Sequence, residues 1–185
     1  MNKTIKTLSA LCLLVGMNIS SNAQTVKIGG EDMYPKKNIV ENAVNSKDHT
    51  TLVAAVKAAG LVETLQTAGP FTVFAPVNDA FENLPAGTVE MLLKPENKAK
   101  LSAVLTYHVI SGTYDFKALA AAIKKGKGTA TLATVQGGSL SFMMNGERNI
   151  TVWDANGNYA NISTYDVYQS NGVIQVIDRV LLPKS

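Results

Sequence analysis

Cysteine is almost absent from this sequence: Cys12 is the only one among 185 residues. It lies in an apolar run, residues 8–19, that follows two lysines and precedes small residues. This pattern is typical of a secretory signal peptide over residues 1–23, and the run is too short to span a bilayer comfortably. We expect no stable membrane span after the signal peptide is cleaved. The mature chain therefore lacks thiols, which excludes disulfides and thiolate chemistry, so its stability must come from a hydrophobic core.

Net charge and histidine are scarce as well. Without Lys3 and Lys6 of the signal peptide, 15 of the 17 basic residues remain against 14 acidic ones, a net charge of +1. A charge this small gives no electrostatic reason to expect nucleic acid as a partner. The two histidines, His49 and His108, are too far apart for metal-ligand spacing, and neither a nucleophile elbow nor a phosphate-binding loop occurs. We therefore expect no cofactor, no metal and no enzymatic activity.

His108 is the histidine with the most apolar surroundings, and it has three interpretations: structural, binding and catalytic. A hydrolase would need a nucleophile and a carboxylate to converge on it, and Ser111 and Asp115 are near in sequence. Alternatively, the imidazole is partly buried and bonds to backbone or to a carboxylate, holding a helix-to-strand junction in place. The apolar context favours the structural interpretation.

The first part of the chain is rich in helical patterns. Residues 24–37 have no periodicity and indicate an extended lead-in. Apolar spacing predicts a helix over residues 38–45 and a second one that begins near Thr50, together covering the core. A short strand is predicted over Phe71–Pro76, with Asn78 as the cap of the helix that follows.

The last third of the chain instead has β-prone runs separated by glycine turns. The predicted strands cover residues 129–135, 139–144, 149–153 and 159–170. Asn145-Gly146, Asn156-Gly157 and Asn171-Gly172 are typical of tight hairpin turns, so these strands predict an antiparallel meander. Helices followed by strands indicate the α+β class.

The final strand, from Val173 to Val180, has branched apolar residues in both of its alternating side-chain sets. A strand of this kind lies inside a sheet with both faces covered. Asn171 and Gly172 suit the central positions of the two-residue turn before it. The rest of the chain must therefore supply a packing layer on each of the two faces of this strand.

Three stretches resemble the fasciclin family. They are Thr72–Phe81 (TVFAPVNDAF), Tyr107–Val109 (YHV) and Ser170–Asp178 (SNGVIQVID), and the similarity covers residues 38–183. The resemblance implies an α+β fold, a wedge of two β-sheets flanked by N-terminal helices. It also implies a fasciclin domain over residues 38–185.

The resemblance further implies a non-enzymatic adhesion or extracellular-matrix module, either secreted, periplasmic or at the cell surface. Its partner would be an extracellular protein, a polysaccharide or a second copy of the chain. The family's contact sites match Tyr107 and His108, and also Asp166 and Val167, where valine replaces isoleucine. Another possibility is a carrier of a small apolar ligand, with a pocket between the helices and the sheet.

Overall fold

The computed structural model describes residues 25–184, so the predicted signal peptide lies outside the described residues. Two 3-10 turns, Lys47–His49 and Pro95–Asn97, accompany the regular elements. The helices are α1 (Ile39–Ala43), α2 (Thr50–Ala59), α3 (Val62–Gln66), α4 (Asn78–Glu82), α5 (Thr88–Leu93), α6 (Lys98–Tyr107) and α7 (Phe116–Lys125). The strands are β1 (Val26–Ile28), β2 (Glu31–Met33), β3 (Phe71–Pro76), β4 (Val109–Ser111), β5 (Thr129–Ala133), β6 (Ser139–Asn145), β7 (Asn149–Trp153), β8 (Tyr159–Gln169) and β9 (Gly172–Ile177). Within this part of the chain, no helix has the length and apolarity needed to cross a membrane.

Seven strands form one sheet in the order β4-β3-β9-β8-β7-β6-β5. Strands β5 to β9 pair antiparallel in chain order, which confirms the predicted meander. Strand β9 lies between β8 and β3 and pairs parallel with β3. The prediction that the last strand is interior is therefore confirmed, and its partner β3 comes from the helical half of the chain.

The α+β class is also confirmed, and the two expected sheets are halves of one sheet that is continuous through β8. This strand has 11 residues and changes register twice against β9, between Ile162 and Thr164 and between Thr164 and Val167. Such bulges bend a strand and increase its twist. At the ends of the sheet, the Val135 N–H after β5 donates to the Val109 carbonyl of β4 at 2.8 Å. The sheet therefore comes close to closing on itself.

The two faces of the central strands pack into two separate cores. In β3, Val73 and Ala75 join one core with apolar residues of α1, α2 and α6. Phe74, which points the opposite way, joins a second core with residues of α7 and of β5 to β8. The same division holds in β9, where Ile174 belongs to the first core and Ile177 to the second. This double cover explains why both alternating sets of the final strand are apolar.

The turn before β9 lies one residue earlier than predicted. Gln169 pairs with Gly172, so Ser170 and Asn171 are the central residues of the hairpin. Neither Asn171 nor Gly172 is among the described residues with positive φ. Gly172 is required for another reason: a Cβ there would lie 2.1 Å from the Phe71 carbonyl oxygen. The glycine thus permits the close parallel approach of β9 to β3.

The predicted extended lead-in over residues 24–37 differs from the structure. Residues Val26–Met33 form the hairpin β1–β2, with Gly29 and Gly30 at its turn, both at positive φ. Ile28 and Met33 are buried and belong to the first core. The folded unit therefore includes residues before position 38. The Gly-Gly step between two short runs was the available signal for this hairpin.

Asn78 is a cap, but for a different helix than predicted. Val77 occupies the N-cap of α4, and Asn78 is the first residue of that helix. Its Oδ1 accepts hydrogen bonds from the Thr51 N–H and the Thr50 hydroxyl of α2, both at 3.1 Å. Its Nδ2 donates to the Lys47 carbonyl at 2.8 Å. One side chain from the β3–α4 segment therefore fixes the N-terminus of α2.

Candidate binding surface

Tyr107 ends α6 and is buried, with 1% of its surface exposed. Its hydroxyl donates to the Ser139 carbonyl at 2.7 Å and accepts from the Ala155 N–H at 3.0 Å. Both partners belong to the meander, one at the start of β6 and the other in the β7–β8 turn. Tyr107 therefore joins the end of α6 to the meander.

His108 follows Tyr107 as the C-terminal cap of α6 and is 3% exposed. Its Nε2 accepts from the Leu181 N–H at 3.0 Å, so Nδ1 carries the proton and donates to the Val104 carbonyl at 2.8 Å. Burial lowers the pKa of His108 to about 4, so the imidazole is neutral at physiological pH. Because backbone groups occupy both ring nitrogens, neither Ser111 nor Asp115 is hydrogen-bonded to it. This confirms the structural interpretation of His108.

The β7–β8 turn holds the same C-terminal segment as His108. The buried Asp154 accepts from the N–H groups of Asn156 and Asn158, both at 2.9 Å. Its Oδ2 accepts from the Leu182 N–H at 3.1 Å. The stretch from Asp154 to Asn158 is thus the predicted hairpin turn, and its carboxylate is used to hold the chain after β9.

Asp166 lies in the second bulge of β8, where one extra residue is inserted between Thr164 and Val167 relative to β9. Its φ is +59°, a left-handed conformation that aspartate tolerates better than most residues. Its Oδ1 accepts from the Phe116 N–H at 2.7 Å, and no described residue forms a hydrogen bond with Oδ2. The bulge thus fixes one carboxylate oxygen, and the other has no hydrogen-bond partner among the described residues.

Gln175 on the neighbouring strand β9 forms hydrogen bonds with this bulge and is fully buried. Its Oε1 accepts from the Asp166 N–H at 3.1 Å, and its Nε2 donates to Asp166 Oδ1 at 2.9 Å and to the Tyr114 carbonyl at 3.1 Å. All its polar atoms are therefore satisfied. The sequence gives no signal for this role, because a single polar residue in an apolar strand does not indicate its partner.

Tyr168 and Asp115, which the sequence did not predict as contact residues, lie beside Asp166. Tyr168 is 41% exposed, and its hydroxyl donates to Asp115 Oδ2 at 3.1 Å. Asp115 also caps α7 by accepting from the Ala118 N–H at 2.7 Å. Partial burial, with the Asp115 carboxylate nearby, raises the pKa of Tyr168 to about 12, so its hydroxyl stays protonated. We call Asp115, Asp166 and Tyr168 the Asp166 surface.

The four sequence-predicted contact residues are not equally accessible. Tyr107, His108 and Val167 are all buried, whereas Asp166 is half-buried. Tyr107 and His108 bond to the meander and the C-terminal segment, and neither is hydrogen-bonded to Asp166. Of the four predicted residues, only Asp166 offers a polar group to a partner. The assignment of these residues to binding stays a prediction.

Taken together, these contacts define the class of protein: an α+β domain whose polar motif residues join distant segments and do not converge on a reactive centre. The sequence matches the fasciclin domain over residues 47–183. The chain belongs to the fasciclin domain family.

Relatives of the chain agree with this assignment. Protein sll1483 of Synechocystis sp. is 51% identical over 145 residues, which cover 78% of this chain and 73% of that protein. Cell surface glycolipoprotein MPB83 of Mycobacterium bovis is 36% identical over 146 residues, covering 76% of this chain and 58% of that protein. A solved structure of a FAS1 domain pair from the insect cell adhesion molecule Fasciclin I superposes with a TM-score of 0.69. It is 22% identical and covers 80% of this chain and 51% of that one.

Proposed function

We propose that this protein is a non-enzymatic adhesion or extracellular-matrix module, secreted or held at the cell surface. It binds an extracellular protein, a polysaccharide or a second copy of itself through the Asp166 surface. The observation that carries this proposal is the carboxylate of Asp166, which has one oxygen fixed by two hydrogen bonds and the other without a described partner. The names of two similar proteins, a cell surface glycolipoprotein and a cell adhesion molecule, support the location and the role.

The rigidity of this surface is suited to recognition. Binding costs the conformational entropy of every side chain that becomes ordered, and Asp166 and Tyr168 are already held by Phe116 and Asp115. Exposed tyrosines also contribute strongly to protein interfaces, since they bury a large apolar ring and keep a polar end. In this proposal, Val167 anchors the bulge and does not contact the partner.

The experiment is a binding measurement with mature protein and the cell envelope or extracellular fraction of its host. Asp166→Asn keeps an oxygen at the Oδ1 position to accept from the Phe116 N–H, and asparagine also tolerates the left-handed conformation, but the negative charge is removed. Tyr168→Phe removes the hydroxyl. We expect each to weaken binding by about fivefold or more, in the range of a charged or neutral hydrogen bond. The matched controls are Glu147→Gln and Tyr34→Phe, an exposed acid and an exposed tyrosine elsewhere. Unchanged binding by Asp166→Asn and Tyr168→Phe would overturn the assignment.

A second candidate function is carriage of a small apolar ligand, and a separate observation favours it. An apolar cavity of about 330 Å³ lies between the N-terminal helices and the sheet. This volume is within the usual range of small-molecule sites. The cavity and the Asp166 surface have no lining residue in common, so one protein could have both functions.

A further inference from the structure

The cavity is formed by α1, α2 and α3 on one side and by β3 and the α6–β4 junction on the other. Its volume is about 330 Å³. Aliphatic side chains supply most of its surface, among them Val40, Val53, Val56, Leu61, Leu65 and Val73. Of these, Val73 on β3 belongs to the first core, so the cavity extends to the surface of the sheet.

The cavity opens to solvent at one side and is large enough for a small molecule. At roughly 30 Å³ per molecule, this cavity equals about eleven liquid waters. Apolar walls give such waters few hydrogen-bond partners, and smaller apolar cavities stay dry and accept hydrocarbon ligands.

The entrance of the cavity carries both apolar and polar side chains. Val44, the C-cap of α1, and Val135 after β5 both line the cavity, and they are 47% and 46% exposed. They are among the most exposed large apolar side chains of the described residues. The cavity is also lined by exposed polar residues, which are Glu41, Lys57, Thr64 and Gln66. Val44 and Val135 therefore form the apolar part of a mixed rim.

The charges around the cavity decide what kind of molecule fits. Of the described lining residues, Glu41, Lys57 and His108 are titratable. Glu41 and Lys57 are exposed and of opposite sign, and Glu41 already accepts from the Asn38 N–H at 2.8 Å. The ring nitrogens of His108 are both bonded to backbone. The interior thus has no buried charge to pair with an ionic group, and an unpaired charge there would be costly.

We propose that this cavity binds an uncharged apolar molecule and discriminates against charged molecules of the same shape. The proposal rests on the carrier function and adds the chemical class of the ligand. Selection follows from desolvation: a neutral ring or chain loses only unfavourable water contacts on entry, whereas a carboxylate or an ammonium loses its hydration without compensation.

The test uses three probes of nearly equal shape: 2-methylnaphthalene, 2-naphthoate and 2-naphthylmethylammonium. Their dissociation constants for the mature protein are measured by equilibrium dialysis at neutral pH. We expect 2-methylnaphthalene to bind at least tenfold more tightly than either ion. Equal affinity of all three would overturn the charge selection while leaving the carrier function in place. If none of them binds, both the carrier function and the ligand class are overturned.

Filling variants locate the site. Val56→Phe and Val40→Phe place a ring in the cavity from α2 and α1, and each should weaken binding of 2-methylnaphthalene at least tenfold. Leu132→Phe is the matched control, since Leu132 is half-buried and packs against the other core. Circular dichroism confirms that each variant is folded. Because there are two filling variants, the test can still be made if one of them does not fold. Wild-type affinity in a folded filling variant would show that the probe binds elsewhere and would overturn the proposal.

Discussion

At the scale of single residues, the polar motif side chains of this domain act as joints between segments. Tyr107 and His108 satisfy backbone groups of the meander and of the C-terminal segment, and Gln175 satisfies the bulge at Asp166. Each is buried, and buried polar groups stabilise a fold only when they are fully paired. A motif that is prominent in the sequence can therefore be structural and still determine the geometry of a surface nearby.

The first prediction concerns His108. His108→Ala leaves the Leu181 N–H and the Val104 carbonyl without their partner, so the free energy of unfolding should fall by roughly 2–4 kcal/mol. The measurement is urea unfolding followed by circular dichroism. Binding through the Asp166 surface should be unchanged under conditions where the variant is folded. A variant with wild-type stability would contradict the conclusion that His108 stabilises the contact between α6 and the C-terminal segment.

The second prediction is the pH dependence of that contribution. The pKa of His108 is about 4 in the folded state, compared with 6.5 in the unfolded chain, so the unfolded state binds the extra proton. The stabilisation is fully present above pH 6.5 and is lost as pH falls toward 4, by about 3 kcal/mol in total. His108→Ala should lower proton uptake on unfolding near pH 5 by about one proton. Some dependence should remain, because burial also lowers the pKa of His49. If the free energy of unfolding changed with pH equally steeply in the variant and in the wild type, this prediction would be contradicted.

At the scale of elements, sequence patterns located the strands well and their connections less well. The strand Phe71–Pro76, which ends at its proline, and the meander strands β5 to β8, which glycine steps separate, were predicted within two residues at each end. The final strand was predicted to reach Val180, whereas β9 ends at Ile177. The turn at Ser170 and the hairpin β1–β2 were not predicted correctly. In both cases the decisive contact is with a distant strand or with the core, which local propensity does not report.

The third prediction tests the link between α2 and α4. Asn78→Ala removes the acceptor for the Thr51 N–H at the start of α2, so the free energy of unfolding should fall by about 1 kcal/mol, in the usual range for a lost cap. Asn83→Ala is the matched control, since Asn83 is exposed at the end of α4 and none of the described hydrogen bonds involves its side chain. Chemical denaturation measures both. A similar loss in the two variants would argue against a capping role of Asn78.

At the scale of the whole molecule, the parallel pairing of β3 with β9 organises the fold. It places one sheet between two cores, and it brings the helical half of the chain against the meander. In a chain without thiols among its described residues, this double burial is the principal source of stability. The described residues contain one ion pair, Lys27 with Asp32 at 3.2 Å, which is exposed and contributes little.

The fourth prediction concerns the extent of the folded unit. A chain that begins at residue 38 lacks the hairpin β1–β2 and so exposes the part of the first core that Ile28 and Met33 cover. Its free energy of unfolding should be lower than that of a chain beginning at residue 24 by about 2 kcal/mol or more. Removing one large core side chain usually costs about 2–5 kcal/mol. Lys27→Ala in the longer chain is the control and should change stability by less than about 1 kcal/mol. Equal stability of the two chains would show that the hairpin is dispensable.

The sequence by itself determined the α+β class, the meander and the interior position of the last strand, and it favoured a structural role for His108. Each of these follows from local spacing: alternation along a strand, glycine at turns and an apolar environment around an imidazole. The tertiary structure alone decided the parallel contact of Gly172 with Phe71, the bulge that fixes Asp166, the burial of Tyr107 and the apolar cavity. These features depend on residues far apart in the chain, and the packing of distant segments leaves no periodic signal in the sequence.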